Sequence, residues 1–374
     1  MTARGLMLVA ACSLVAAGCG ASTGLRIENS GRTVAVTKSA KTLDHVRGLD
    51  AVAFANDTHG WAAGTHAIIA TTDAGRTWTQ QYRGPADVRS LDFTDERDGW
   101  AVAADTLLRT TDGGATWSPA GEPSGGLLLV SIDFVSGTRG WGVAQAGVGS
   151  APNPTGTVVQ TTDGGESWST VGSRAVDSIC GAGARTLFAG AGSRVLRSTD
   201  DGADWTTLFD ATTSRHTWME PTVQCAGRSS IWVLFLSDSA AGSQGYAAYT
   251  SSDSGASWRT VVVAPLLAGA DPAFRGVVRL DAYPGPFAAI SAAEAVFLGQ
   301  CPACDPQHVM TLRTKDGGAN WLRHVINGFV PTGLAFADAQ HGWMTTRLGG
   351  YPGRVSAILA TTDAGRSWHR VFPG

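Results

Sequence analysis

Lysine is nearly missing. It stands only at positions 38, 41 and 315 of the 374 residues, so almost every cation is arginine. Charged residues make up 16%, with both signs scattered and a net charge of −3. No basic block is present to meet a phosphate backbone, which argues against a nucleic-acid partner. No apolar run is long enough for a membrane-spanning helix: residues 5–18 give fourteen. No Ser-His-Asp signature, P-loop or HExxH zinc motif occurs, which removes the commonest readable enzyme classes. Tyrosine is also scarce, at positions 82, 246, 249, 283 and 351. What the chain does hold is 43% hydrophobic residues, 48 glycines and 13 tryptophans, enough apolar surface for a packed core with many tight turns.

The first nineteen residues, MTARGLMLVAACSLVAAGC, carry Arg4, a short apolar stretch, and the small residues Ala16, Ala17 and Gly18 before Cys19. A stretch of that length suits an export signal. The small-small-Gly-Cys ending resembles a bacterial lipobox, which implies lipid on Cys19. The expected organisation is therefore a signal peptide at 1–18, a polar tether at 19–42 and the folded domain at 43–374. The expected location is extracytoplasmic, anchored to the bacterial membrane, or secreted if the lipid is not added.

One short motif is written seven times: TTDAGRTW (71–78), TTDGGATW (110–117), TTDGGESW (161–168), STDDGADW (198–205), SSDSGASW (251–258), TKDGGANW (314–321) and TTDAGRSW (361–368). Its aspartates are Asp73, Asp112, Asp163, Asp200, Asp253, Asp316 and Asp363, spaced by about 48 residues on average, a period that belongs to propeller blades. A second element lies upstream of each copy and places an aromatic at Trp61, Trp100, Trp141, Phe188, Trp232, Phe297 and Trp343. Seven residues further back stand Phe54, Phe93, Phe134, Cys225, Ile290 and Phe336. In the fourth unit Cys180 is eight back, which predicts a turn one residue longer there. Each unit reads as four short antiparallel strands separated by turns. The expected fold is all-β, a seven-bladed propeller of four-stranded blades, since radial repetition protects sheet edges.

The pattern Ser/Thr-x-Asp-x-Gly-x-x-Trp is the Asp-box, or BNR repeat. With the Gly-Trp-Ala element, the chain resembles the seven-bladed propellers of the photosystem II assembly and stability factors. It is more distantly similar to sialidases and xyloglucanases. The resemblance implies a binding role in membrane-protein assembly. Physically, each position of the box has a local role. The aspartate can accept backbone N–H groups ahead of it, the glycine tolerates positive φ, and the tryptophan packs over the turn. A carboxylate repeated seven times reads as structural. A calcium ion would need six to eight oxygens where each turn offers one carboxylate. No metal or cofactor is expected.

Four units have extra residues between their second and third strands: 144–156, 237–246, 299–308 and 346–353. Two connections between units are also long, 210–222 and 264–286. All would emerge opposite the boxes, and long loops on a rigid scaffold commonly carry binding. The recognition candidates there are Arg215, His216, Trp218 and Glu220, with Tyr246 and Tyr351; the opposite reading makes Trp218 a packing plug. A glycosidase would need two carboxylates about 5–10 Å apart, and Glu220, Asp271, Asp281 and Asp305 are the available ones. No sialidase tyrosine setting or arginine triad is recognisable. His59 and His341 share a repeat position and read as structural. Outside the cytoplasm an even number of cysteines favours disulfides. Cys180 should bridge Cys225 between the fourth and fifth blades, and Cys301 should bridge Cys304 within one loop. The functional expectation is a monomeric, non-catalytic scaffold for protein partners at the membrane surface. A carbohydrate-binding protein or a glycoside hydrolase acting on cell-surface glycan is the alternative.

Overall fold

Segments such as Gly60-Trp61-Ala62-Ala63-Gly64 have no polar side chain for either face, so they form strands covered on both sides. In a computed structural model of the chain, which describes residues 43, 46–147, 156–213, 216–240, 242–301, 304, 307–348 and 355–372, the second strands Gly60–Thr65, Gly99–Ala103 and Gly140–Ala146 are buried almost throughout. They are sandwiched between neighbouring blades. The predicted signal and the whole of the tether, Cys19 included, lie outside the described residues, as do Arg215, Tyr351 and Asp305.

Seven sheets follow one another, each a meander in chain order. The first comprises Arg47–Phe54, Gly60–Thr65, Ala67–Thr71 and Thr79–Arg83; the last comprises Phe329–Phe336, Gly342–Leu348, Val355–Thr361 and His369–Phe372. The fold is thus the seven-bladed propeller expected. Blade 1 takes its four strands from the start of the domain and blade 7 its four from the end, so the ring closes by packing. Leu49 N donates to Ser356 Oγ (3.0 Å), Thr332 Oγ1 donates to Leu49 O (2.9 Å), and Phe54 stacks on Trp343 at 3.5 Å.

A regular aromatic seam joins the blades. Phe93 of blade 2 lies flat on Trp61 of blade 1 and Phe134 of blade 3 on Trp100 of blade 2, each centroid pair within 3.6 Å. Each of these phenylalanines also meets its own blade's box tryptophan edge-on: Phe93 on Trp117, Phe134 on Trp168. The glycine before the tryptophan makes room for this. A Cβ at Gly60, Gly99 or Gly140 would sit within 2.5 Å of the first-strand ring. The tryptophan nitrogens complete the seam. Trp61 Nε1 donates to Gly113 O, Trp100 Nε1 to Gly164 O and Trp343 Nε1 to Ala74 O, each the carbonyl of the following blade's box turn.

Strand register corrects two readings of the sequence. In blade 4, Cys180 pairs with Phe188 and Gly181 with Leu187, as Ala53 pairs with Trp61 and Phe54 with Gly60 in blade 1. The turn is no longer than the others; Cys180 simply sits one residue before the phenylalanine position. In blade 6, Ala295 faces the box residue Thr314 as Gly60 faces Thr71, so Val296 and not Phe297 holds the tryptophan position, and Ala289 and not Ile290 the phenylalanine one. Phe297 therefore turns toward blade 5, where it meets Trp232 (6.1 Å), and stacks on Phe287 of its own blade's first strand (4.9 Å), because successive residues of a strand face opposite ways.

The insertions also differ from bare loops. In blade 5 they lengthen the hairpin itself, with strands Ile231–Ala240 and Ser243–Ser251. The connection after blade 5 folds into a short α-helix, Pro265–Ala270, a 3-10 turn, Pro272–Phe274, and a fifth strand, Val278–Arg279, parallel to Arg259–Val263. No described helix is long and apolar enough to cross a membrane.

Candidate functional site

The box turns are closed polar knots. Thr71 Oγ1 donates to Asp73 Oδ1 (2.8 Å) and accepts Gly75 N (2.8 Å), while Asp73 accepts Thr77 N (2.8 Å) and Thr77 Oγ1 (2.7 Å). The same hydroxyl-to-carboxylate and backbone bonds recur at Asp112, Asp163, Asp253, Asp316 and Asp363. At Asp200 the hydroxyl and backbone bonds persist. The Ser167 hydroxyl, ahead of its N–H, holds Asp163 down at about 2; the Ser257 hydroxyl does the same for Asp253. Two features escaped the eight-residue pattern. The residue before the box tryptophan (Thr77, Thr116, Ser167, Ser257, Asn320, Ser367) bonds the carboxylate with its side chain, a preference visible in six of the seven copies. The residue before the glycine also has positive φ, even where it is Ala74, Asp201, Ser254 or Ala364.

On the opposite face, the folded connection 264–282 forms a cap over blades 5 and 6, and the sequence candidates gather beneath it. Trp218 is 4% exposed and packs on Phe274 and Phe235. Tyr246 is fully buried; its hydroxyl donates to Asp281 O (2.5 Å) and accepts Asp281 N (3.0 Å). Burial pushes that hydroxyl's pKa far up. Both residues brace the cap from inside instead of presenting rings to a partner. His216 stacks on Phe274 with Nε2 3.3 Å from Asp271 Oδ2. His308 Nε2 lies 2.9 Å from Asp281 Oδ2. Asp271 also accepts Ala273 N and Asp281 accepts Ala282 N, so both carboxylates are engaged in the cap. Glu220 sits at φ 48° beside Pro221, on the first strand of blade 5. The outward surface of the cap is formed by Leu266, Arg275 and Arg279. Among the described residues no group of three or more potential ligands could hold a metal ion.

A third arrangement lies among the first strands around the propeller axis. The residue before the phenylalanine position faces the next blade and binds it. Asp92 Oδ2 accepts Phe134 N (2.6 Å), Asp133 Oδ2 accepts Gly181 N (2.6 Å), and Gln224 bonds Phe287 O and Ala289 N. In this row Cys180 supplies a covalent link, its disulfide to Cys225, with Cα atoms 5.7 Å apart. Burial, then repulsion from Asp133, raises Asp92 to about 8; burial raises Asp133 to about 6. The folded protein thus holds protons that the unfolded chain releases, so stability is present at acid pH and lost as pH rises through these values. Asp92→Asn keeps an acceptor for Phe134 N without the charge. It is expected to melt several degrees above the parent at about pH 8.5 and to match it near pH 4. A gap that widened toward acid would reverse the sign of the argument.

The sequence matches no family model and no curated protein. Solved structures do share the architecture. YCF48 bound to D1 peptide aligns over 85% of this chain and 93% of its own, at 18% identity and a TM-score of 0.57. YCF48 from Cyanidioschyzon merolae aligns over 85% and 95%, at 16% identity and 0.56. The GH74 xyloglucanase from Xanthomonas campestris aligns over 86% of this chain and 60% of its own, at 15% identity and 0.50. At these identities the likeness establishes a common fold.

Proposed function

We propose that this propeller is an exported, lipid-anchored and non-catalytic assembly platform that takes a protein segment on its loop face. The carrying observation is the asymmetry of the two faces. One bears seven box turns whose polar groups are spent on each other. The other bears the cap at 264–282, a folded surface braced by buried Trp218, Phe274 and Tyr246 and presenting Leu266, Arg275 and Arg279. A braced surface loses little entropy on binding. That a propeller of this architecture has been solved with a bound peptide supports the reading. Cys19 would supply the anchor and 19–42 the reach.

The test is affinity purification from crosslinked membranes. Replacing Leu266 by Asp with Arg275 and Arg279 by Glu should abolish recovery of the partner at unchanged melting temperature. Asp363→Asn should keep the partner and lose roughly 1–2 kcal/mol of stability, from the part-buried bonds of one turn. Partner loss in Asp363→Asn alone would overturn the assignment of faces. A cell-surface glycan is a second reading. It is favoured by a groove of about 430 Å3 on the box face between blades 5 and 6, lined by Trp258, Arg259, Asp316 and the seryl groups 252 and 257. A glycan array lit by the parent and dark for Trp258→Ala would favour it over the platform.

A further inference from the structure

The cysteine pair on the rim of blade 6 stands beside groups that a structural staple does not need. Cys301 ends the second strand, Ala295–Cys301, and is bonded to Cys304, three residues on. Directly opposite Cys301 in the ladder is His308, the first residue of the third strand. Residues paired in this way present side chains on the same face, about 5 Å apart at Cβ. His308 Nε2 in turn lies 2.9 Å from Asp281 Oδ2, an ion-pair distance. Asp281 is anchored by Ala282 N and, through its own backbone, by the buried Tyr246 hydroxyl. The order Asp281, His308, Cys301 is that of a positioned acid–base group beside a sulfur. Of the two sulfur residues, Cys301 is 9% exposed and Cys304 is more open.

We propose that Cys301–Cys304 is an exchangeable disulfide that oxidises dithiol substrates. A substrate thiolate attacks Cys304 Sγ, the more accessible sulfur. The Cys301–Cys304 bond breaks and Cys301 leaves as a thiolate, which takes a proton from the His308 imidazolium. The substrate's second thiol, deprotonated by the now neutral His308, attacks its own sulfur in the mixed disulfide and releases Cys304, which is protonated from solvent. The substrate loses two electrons and two protons and gains a disulfide; the protein gains both as two thiols. Repeated turnover needs a second disulfide compound, such as oxidised glutathione, to restore the bond. His308 is the catalytic group and Asp281 the positioning residue.

What separates this pair from the other is the imidazole beside it: His308 lies directly opposite Cys301 in the ladder, whereas Cys180 faces Phe188 and Cys225 faces Ile231.

The experiment uses the purified, oxidised mature protein in a graded series of reduced and oxidised glutathione, with alkylation and mass mapping. Cys301 and Cys304 should be labelled in buffers that leave Cys180 and Cys225 bonded. Reduction of both pairs together, or only on unfolding, overturns the proposal. The rate of reduction by dithiothreitol is then followed against pH. His308→Gln should slow it about tenfold near neutrality and flatten the profile, the scale of a lost proton transfer. Asp281→Asn should move the profile's midpoint. Folded variants with the parent's rate and profile at all pH values would also overturn it. In Cys301→Ser, Cys304 has lost its internal partner, so with oxidised glutathione it should attack that disulfide, release one glutathione thiolate and accumulate as the stable Cys304–glutathione mixed disulfide, which parent Cys301 would displace. These readouts use small thiols, so they do not depend on the platform reading, and loss of the loop-face partner would leave them unchanged.

Discussion

Trp100→Ala is expected to remove about 4 kcal/mol from the stability of the propeller, the upper part of the range for deleting a buried indole. Trp100 has no exposed surface and does three things at once. Its face carries Phe134 of the next blade at 3.6 Å, Arg109 lies 5.9 Å over its ring, and Nε1 donates to Gly164 O at 2.8 Å inside the next box turn. Removing it opens a cavity between blades 2 and 3, strips Phe134 of its stacking partner and leaves a carbonyl without its donor. Trp100→Phe separates these effects. It keeps most of the contact area and loses the hydrogen bond, for about 1–2 kcal/mol. Urea unfolding followed by far-ultraviolet dichroism of both variants is the check. An alanine variant no weaker than the phenylalanine one would mean that the seam is not what holds the blades.

That seam marks how far the sequence can be read. The boxes were legible because every duty in them is local: hydroxyl, carboxylate, glycine and tryptophan within eight residues. Seven copies at a blade-like period then gave the architecture. The bond from Trp100 to Gly164 spans 64 positions, and no local pattern encodes its end point. The errors at Cys180 and Phe297 have a related cause. Counting residues between landmarks assumes constant turns and strands, and a slip of one turns a side chain to the other face of its sheet. Trp218, open between a contact and a packing plug, is buried, and so is Tyr246, a candidate for the binding face. An aromatic in a loop suits a contact or a plug equally, and what decides is the folding of residues 264–282 above them. Their helix, Pro265–Ala270, has six residues, too short for propensity alone to announce it. Candidate sites were legible as positions on a scaffold; their exposure was not.

The bridge between blades 4 and 5 carries the second large effect and depends on such a slip. Replacing Cys180 and Cys225 together by alanine should lower stability by about 4 kcal/mol, from freeing the 45-residue loop in the unfolded chain. The geometry makes a narrower prediction. The phenylalanine position faces the preceding blade, as Phe134 faces Trp100, and the residue before it faces the following blade, as Asp133 reaches Gly181 N. Cys225 holds the first of these positions in blade 5 and Cys180 the second in blade 4, so their sulfurs point at each other. Had Cys180 stood at the phenylalanine position, both would point the same way around the ring. Moving the sulfur by one residue, with Cys180→Ala and Gly181→Cys, should therefore leave two free thiols at 181 and 225. A Cβ at Gly181 lies 2.6 Å from Val135 Cγ1 and 3.4 Å from Trp141, both in blade 3. The shifted variant should thus be weaker than the double alanine, since it loses the bridge and adds a clash. Thiol titration after unfolding without reductant counts the bridges directly. A shifted variant that still closes its disulfide would show that the inner strands slide past one another, and that register does not fix which blades can be joined.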